Sequence, residues 1–185
     1  MDWQFKSPEL WAFLKSLHPG EILSGTVAAI EQFGVFVDLD DGPGHPTFPG
    51  VGFLTIPELS WRRIDTPTDD VEVGQRVSCE FLDFDTYNAE ARLSLRVLQH
   101  DPFHAFADRT VVGQALRGTV VRVLPFGVFV DIGDGVVGLV PFKKVHGRPA
   151  ASPPEAFQAG TEISVVVTAV ESLHRRVFLS RPEEL

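Results

Sequence analysis

The sequence predicts an all-β protein of two tandem five-stranded barrels, with a short helix before the first barrel and a short helical linker between the two. Three observations predict this fold: an internal repeat, short segments with period-two alternation, and Gly or Asp at the turns. The repeat is plainest in the block Phe-Gly-Val-Phe-Val-Asp, which occurs at 33–38 and again at 126–131. Five short strands in about 75 residues favour a small closed Greek-key barrel over a sandwich.

The internal repeat is supported by six landmarks that recur in the same order, which is far beyond chance similarity. Each repeat opens on Gly followed by Glu or Gln, continues through Gly-Thr-Val to the aromatic block, and closes on a strand that begins with Arg. In the two repeats the landmarks are Gly20 and Gly113, 25–27 and 118–120, 33–38 and 126–131, 52–54 and 138–140, Gly74 and Gly160, and Arg92 and Arg176.

The elements follow in order along the chain. Ser7 and Pro8 are typical of a helix start and predict a short helix over 7–18, and Asp101 and Pro102 start a similar helix between the repeats. Strands are expected near 21–31, 34–40, 51–56, 75–84, 91–97, 114–124, 127–132, 136–141, 161–170 and 176–180. The predicted organisation is an N-terminal helix within 1–19, a first barrel over 20–98, a helical linker over 99–112 and a second barrel over 113–185.

The charge of the chain is divided unequally between the two repeats. The whole sequence has 16 Lys and Arg against 25 Asp and Glu, a net charge of -9, which does not favour bulk binding to nucleic acid. Residues 21–100 hold 5 basic and 14 acidic side chains, whereas residues 113–185 hold 8 basic and 7 acidic ones. If one barrel binds nucleic acid, electrostatics therefore favours the second.

Each aromatic block places two phenylalanines three residues apart, Phe33 and Phe36 in the first repeat and Phe126 and Phe129 in the second. The glycine between them is expected to tolerate a sharp bend from the first strand into the second. Valines alternate with the second ring, so part of the block is expected to face the surface. Exposed rings stack nucleic-acid bases with about 1–3 kcal/mol per base. On the pattern alone, the alternative that both rings are core stays open.

These landmarks, together with the segment 56–61 and the linker sequence 99–103, resemble the S1 RNA-binding domain, the repeated module of bacterial ribosomal protein S1. The resemblance covers nearly the whole chain, from about residue 20 to residue 182. It implies that each barrel is of the OB type and that its outer face binds single-stranded RNA. The fold class implied is therefore all-β, with two tandem OB-fold barrels.

The resemblance also implies a set of binding residues: two aromatics, a His, an acidic residue and an Arg. The aromatics carry over as the two phenylalanine pairs, and the Arg carries over as Arg92 and Arg176. The acidic position carries over as Asp85 and Glu171. Both repeats lack the His, because Thr55 and Pro141 stand at its position. We therefore expect RNA binding with weaker contacts than the full set gives.

The second repeat offers further cations near its expected binding face. Arg122, Lys143 and Lys144 are the ones we expect to contribute most, because several cations beside exposed rings attract a phosphate backbone. Surface cations are also ordinary, and this repeat has nearly balanced charge. The sequence therefore predicts a modest electrostatic contribution, centred on the second barrel.

The sequence lacks the common catalytic and cofactor motifs, so we expect a protein that is not an enzyme and binds no cofactor or metal. Cys79 is the single cysteine, and no secretory or membrane-spanning segment is visible, which predicts a cytoplasmic monomer. The expected partner is single-stranded RNA, on mRNA or on the ribosome during translation. The alternative is a protein-interaction module whose acidic first barrel docks a basic partner.

Overall fold

The structure is a computed structural model that describes residues 2–142 and 157–182. Within those residues the chain divides into two compact units, Met1–His100 and Asp101–Leu185. Each unit contains one closed barrel of five strands. The fold class predicted from the sequence is confirmed. No helix among the described residues is long and apolar enough to cross a bilayer.

The first unit begins with two helices and continues into the first barrel. Strands neighbour one another in the order β1-β2-β3-β5-β4, and all neighbours are antiparallel except β3 and β5. Short 3-10 turns at Ile56–Glu58, Pro67–Asp69 and Arg96–Leu98 connect and follow the strands. The elements are α1 (Trp3–Lys6), α2 (Pro8–Ser16), β1 (Ile22–Glu31), β2 (Gly34–Leu39), β3 (Gly52–Thr55), β4 (Arg76–Asp85) and β5 (Glu90–Ser94).

The second unit repeats this arrangement after a single helix. The strand order β6-β7-β8-β10-β9 corresponds to that of the first barrel, and β8 and β10 form the parallel pair. The elements are α3 (Pro102–Arg109), β6 (Ala115–Leu124), β7 (Gly127–Asp131), β8 (Val137–Pro141), β9 (Glu162–Glu171) and β10 (Arg176–Ser180). All ten predicted strands are therefore present. The largest difference is in β5, which ends at Ser94 because a 3-10 turn follows it.

The barrel cores come from the inward-facing half of each strand. Val35 and Val37 on β2, and Val128 and Val130 on β7, are fully buried, as the period-two alternation requires. Helix α2 adds Leu10 and Leu14 to the first core, both fully buried. Burying a leucine side chain contributes about 1.5–3 kcal/mol, so this helix is an integral part of the first barrel.

Helix α3 contributes to the second core through Phe103 and Phe106, both buried. The predicted linker over 99–112 thus contains a helix that packs as part of the second unit. Asp101 caps this helix, since its carboxylate accepts hydrogen bonds from the backbone N–H groups of Phe103 and His104. The sequence did not predict the short helix α1. It has four residues, too few for a periodic pattern, and packs through the buried ring of Trp3.

The glycine of each aromatic block is required by a close approach between strands. A Cβ atom on Gly34 would lie 2.4 Å from the ring of Phe53, and one on Gly127 would lie 2.6 Å from the carbonyl oxygen of Val140. Both distances are below any normal van der Waals contact. The glycines therefore let β3 and β8 lie close against the residues that carry the paired rings.

Candidate nucleic-acid interface

The second barrel carries a groove of about 320 Å³ on its outer face. Its floor is formed by outward-facing residues of β7, β8 and β10, because alternate residues of each strand point away from the core. The groove brings together three residues that the sequence predicts as binding residues, Phe126, Phe129 and Arg176. The full lining is Phe126, Phe129, Val137, Leu139, Arg175, Arg176, Val177 and Phe178.

The two rings of this groove lie edge to face. The centroids of Phe126 and Phe129 are 6.3 Å apart and the ring planes meet at 87°. Phe126 precedes β7 and is 55% exposed, while Phe129 lies within the strand and is half-buried. Both rings line the groove, so each offers part of its surface for contact with a base. The alternative that both rings are core is wrong for Phe126.

Two arginines supply positive charge to the groove without a neutralising partner among the described residues. Arg176 lines the groove and lies opposite Glu171 in the β9–β10 register. Arg122 is exposed on β6 directly opposite Phe129, and paired residues of neighbouring strands point to the same face. Glu171 itself lies 3.7 Å from His174. The groove therefore combines aromatic surface with unpaired cations.

Arg175 borders the same groove but is held by the protein. Its Nη2 donates to Asp101 Oδ1 at 2.9 Å, and its Nη1 donates to the other carboxylate oxygen. The guanidinium also lies 5.1 Å from the ring centroid of Phe103. The hydrogen bonds from Arg175 lower the pKa of Asp101 from its usual value. This contact ties the β9–β10 hairpin, which carries Arg176, to the start of α3.

The first barrel has the same ring pair but a different environment. Phe33 and Phe36 are 6.3 Å apart at 86°, nearly identical to the second pair. Phe33 is 63% exposed, but Phe36 is only 4% exposed. Phe48 stacks on Phe36 at 5.5 Å and Phe53 packs against it at 5.1 Å. The first barrel therefore presents one open ring of the predicted pair.

Arg92 of the first barrel is engaged with carboxylates. Its Nη2 donates to Asp85 at 2.8 Å and lies 3.6 Å from Glu90, and its guanidinium lies 5.0 Å from the Phe53 ring. The hydrogen bond from Arg92 lowers the pKa of Asp85, whereas burial raises the pKa of Glu90. Two of the predicted residues, Asp85 and Arg92, thus lie together as an ion pair.

The two closing arginines do not occupy equivalent positions. Arg92 lies opposite Asp83 in the β4–β5 register, whereas Arg176 lies opposite Glu171 two residues nearer its hairpin. When the strands are matched by their pairing with neighbours, Arg92 of β5 corresponds to Phe178 of β10. Arg176 of β10 then corresponds to Glu90 of β5. Aligning the two repeats on their arginines missed this offset. The Leu-Ser pair of each strand, not the arginine, lies at equal register.

The remaining predicted residues either occupy equivalent positions in the two barrels or lie outside the described residues. Thr55 and Pro141 end β3 and β8 opposite Gly34 and Gly127, so the position of the missing His is the same in both barrels. Lys143 and Lys144 lie outside the described residues. Phe48, Phe53 and Phe178 were not predicted as binding residues from the sequence. The available signals were the Gly- and Pro-rich loop over 42–51, which is longer than its counterpart in the second repeat and contains Phe48, and the outward-facing strand positions of Phe53 and Phe178.

Two closed five-stranded barrels of this order, with an aromatic pair on the outer face, define the OB-type class of small binding barrels. The chain belongs to the S1 RNA-binding domain family, whose model matches residues 16–96 and 110–182. The predicted family is thereby confirmed in both repeats.

The chain is similar to longer proteins of known name. It is 37% identical over 169 residues to small ribosomal subunit protein bS1 of Mycolicibacterium smegmatis, a match that covers 91% of this chain and 33% of the relative. A bS1 homolog of Bacillus subtilis is 33% identical over 92% of this chain and 42% of its own. A 4-hydroxy-3-methylbut-2-enyl diphosphate reductase of Clostridium acetobutylicum is 30% identical over 89% of this chain and 24% of its own. The chain thus spans less than half the length of these relatives.

Proposed function

We propose that this chain is a non-catalytic protein that binds single-stranded RNA, with the second barrel as its principal binding module. The observation that carries the proposal is the groove in which an exposed ring, a perpendicular ring and Arg176 meet. Aromatic rings beside unpaired cations are the usual means by which OB-type barrels hold single strands.

In the proposed mode of binding, bases stack on the exposed faces of Phe126 and Phe129, whose ring planes are nearly perpendicular. Stacking of this kind contributes about 1–3 kcal/mol per base and tolerates any base. Arg176 and Arg122 then contact phosphates on either side, with Lys143 and Lys144 as further candidates. Glu171 lies opposite Arg176 and is proposed as a further contact to the RNA.

The names of the relatives support a setting for this activity. Several are ribosomal proteins, so we propose that the RNA is mRNA or rRNA in the cytoplasm and that the ribosome is a partner. The match to the reductase covers only 24% of that protein, so its name implies no activity for this chain. A chain that shares this segment with proteins of different names is best described by what the segment binds.

A second function is favoured by the first barrel, which has 14 acidic and 5 basic side chains between residues 21 and 100. Its Arg92 is neutralised by Asp85, and its second ring is buried. On this hypothesis the first barrel docks a basic protein surface, and the second barrel supplies the RNA contact. Charge complementarity of this kind speeds association and weakens with salt.

The experiment that tests RNA binding is fluorescence anisotropy with a short single-stranded RNA over a series of salt concentrations. Phe126→Ala removes an exposed ring and is expected to lower affinity about 5- to 100-fold. Phe33→Ala is the matched control, because it removes an equally exposed ring at the same position of the first barrel. The control is expected to change affinity less than threefold.

Binding that is absent at low salt would overturn the proposal. Equal losses in the two variants would assign the binding to both barrels. If wild type fails to bind RNA but binds a basic protein at moderate salt, the second function is the correct one.

A further inference from the structure

The first barrel has an aromatic cluster on its outer face that is separate from its core. The cluster consists of Phe33, Phe36, Phe48 and Phe53, joined by ring contacts of 5.1 to 6.3 Å. Phe36 and Phe53 are buried, but none of the four rings is part of the cluster of buried side chains that fills the barrel interior. The barrel interior is therefore filled without them, and Phe48 is not needed to complete it.

Phe48 covers the ring that corresponds to Phe129 of the second barrel. Its ring lies nearly parallel to that of Phe36, at 20° and 5.5 Å between centroids. Phe36 and Phe129 have equal register, opposite Ala29 and Arg122 respectively. Phe36 is 4% exposed under this cover, whereas Phe129 is half-buried and lines an open groove. Phe48, a side chain of the 42–51 loop, and Phe53 of β3 are the two rings that cover Phe36.

The loop that carries Phe48 is anchored at three points. His45 Nδ1 accepts hydrogen bonds from the backbone N–H groups of Thr47 and Phe48 at 3.1 and 2.9 Å, and its Nε2 donates to the carbonyl of Asn88 at 2.8 Å. Gly42, at φ +102°, lies against the ring of Phe13 in α2. The third anchor is Gly50, where a Cβ atom would lie 2.4 Å from the carbonyl oxygen of Val37.

The N-terminal helix α1 supports the same loop. The ring of Trp3 meets that of His45 edge-on at 5.3 Å, and its Nε1 donates to the carbonyl of Tyr87 at 2.7 Å. The His45 ring in turn packs against Phe48, with centroids 4.7 Å apart. A buried tryptophan thus fixes the imidazole that orients Phe48.

We propose that Phe48 takes the place of a stacked base on Phe36, so that the first barrel's platform is filled by its own loop and RNA stacking is directed to the second barrel. A nearly parallel ring at this distance is the arrangement that an aromatic residue and a base adopt. Phe48 is therefore a specificity-determining residue. The inference rests on the proposed function, since it explains which of the two ring pairs binds RNA.

The test uses the full chain with Phe126→Ala, in which the open ring of the second barrel is absent. Anisotropy with a short RNA is compared for this variant with and without Phe48→Ala. Removing Phe48 is expected to tighten binding about fivefold or more, because it exposes a stacking face. Phe5→Ala in the same background is the matched control, since Phe5 is 79% exposed and lies in α1. It is expected to leave affinity unchanged.

The gain must depend on the Phe36 ring. Phe36→Leu keeps an apolar side chain of similar size but removes the π-face, and adding it to Phe126→Ala/Phe48→Ala is expected to abolish the gain. His45→Ala in place of Phe48→Ala removes the anchor and is expected to give a smaller gain in the same direction. This variant also provides the test if Phe48→Ala does not fold.

An affinity that neither Phe48→Ala nor His45→Ala changes, with circular dichroism unaltered, would overturn the proposal. A gain that persists with Phe36→Leu would also overturn it. These results are distinct from failure of the proposed function, in which wild type binds no RNA even at low salt.

Discussion

The two barrels have the same fold and the same ring pair, yet they present different surfaces. Their strand orders correspond, and their first strands contain a bulge at the same place, Val27/Ala29 and Val120/Arg122. Both ring pairs lie 6.3 Å apart and nearly perpendicular. The differences lie in loops and outward-facing positions. Inward residues therefore set the fold, while outward ones decide what each barrel binds.

At two equivalent strand positions, the two barrels carry side chains of different charge. Ala29 in the first barrel corresponds to Arg122 in the second, and Glu90 corresponds to Arg176. Glu90 is buried beside Arg92, whereas Arg176 lines the open groove. Together with the cover by Phe48, these two changes leave the first face covered and without these two cations, and the second face open with both.

The largest expected effect is a loss of stability when a buried side chain is removed from the helix that packs on each barrel. Phe106→Ala is expected to destabilise the second barrel by about 3–5 kcal/mol, because it removes a ring that is 2% exposed from that core. All three tryptophans, Trp3, Trp11 and Trp61, lie in the first unit. Tryptophan fluorescence during urea unfolding therefore reports on the first barrel, while far-ultraviolet circular dichroism reports on both.

Phe106→Ala is expected to shift part of the circular dichroism transition and to leave the tryptophan transition in place. Leu14→Ala in α2 is the matched variant, with a cost of about 2–5 kcal/mol to the first barrel and an early tryptophan transition. A shift of the tryptophan transition by Phe106→Ala would contradict the assignment of α3 to the second core.

The second effect is on RNA affinity, which is expected to depend on the charge of the side chain at position 176. Arg176→Glu gives the second barrel the residue type that the first barrel has there. We expect the affinity for RNA to fall about tenfold or more. The slope of the logarithm of affinity against the logarithm of salt concentration is expected to become shallower by about 0.7, because one phosphate contact is lost. Arg117→Glu, an exposed change of equal charge on β6 away from the groove lining, is the control. Equal losses in both variants would mean that net charge alone controls binding.

The third effect is the reciprocal change in the first barrel. Ala29→Arg places a cation opposite Phe36, as Arg122 lies opposite Phe129. In a chain that also carries Phe126→Ala and Phe48→Ala, it is expected to raise RNA affinity about two- to fivefold and to steepen the salt dependence. Anisotropy at two salt concentrations measures both. Ala29→Gln, without the charge, is expected to raise neither, and a gain with Gln would contradict an electrostatic cause.

The sequence predicted the fold well because its evidence is local. Ten strands follow from period-two alternation and glycine-bounded turns, and the repeat confirms each one against its counterpart. The short helix α1 escaped prediction because a buried Trp3, not a local pattern, stabilises it. Local patterns do not report such tertiary contacts.

The site was predicted in part. Phe126, Phe129 and Arg176 meet in one groove as expected, whereas Arg92 and Arg176 turned out to have different registers. Register depends on pairing between strands that are distant in sequence, so a shared residue type is a poor guide to it. The cover by Phe48 depends on how a long loop folds back, which the sequence does not show.

The smallest expected effect is a difference in acid sensitivity between the barrels. Arg175 lowers the pKa of Asp101 in the second barrel, and Arg92 lowers that of Asp85 in the first. A carboxylate with a lowered folded pKa stabilises the fold above its unfolded pKa of about 3.9, and this stabilisation is lost as pH falls through the folded pKa. In the first barrel burial raises the pKa of Glu90, so ionised Glu90 destabilises the fold at neutral pH, and this destabilisation is lost as pH falls.

Arg76 likewise lowers the pKa of Asp40 in the first barrel. The acid sensitivity of the second barrel is therefore expected to depend on Asp101, and that of the first on Asp40 and Asp85 with Glu90 opposing them, as measured by urea unfolding with the two optical signals. Asp101→Asn keeps a helix-capping side chain but removes the charge, so it should cost about 0.2–1 kcal/mol at pH 7 and flatten the acid dependence of the second barrel. Glu90→Gln should make the first barrel more acid-sensitive, because it removes the group that opposes Asp85. If Glu90→Gln leaves that dependence unchanged, burial of Glu90 is not what separates the two barrels in acid.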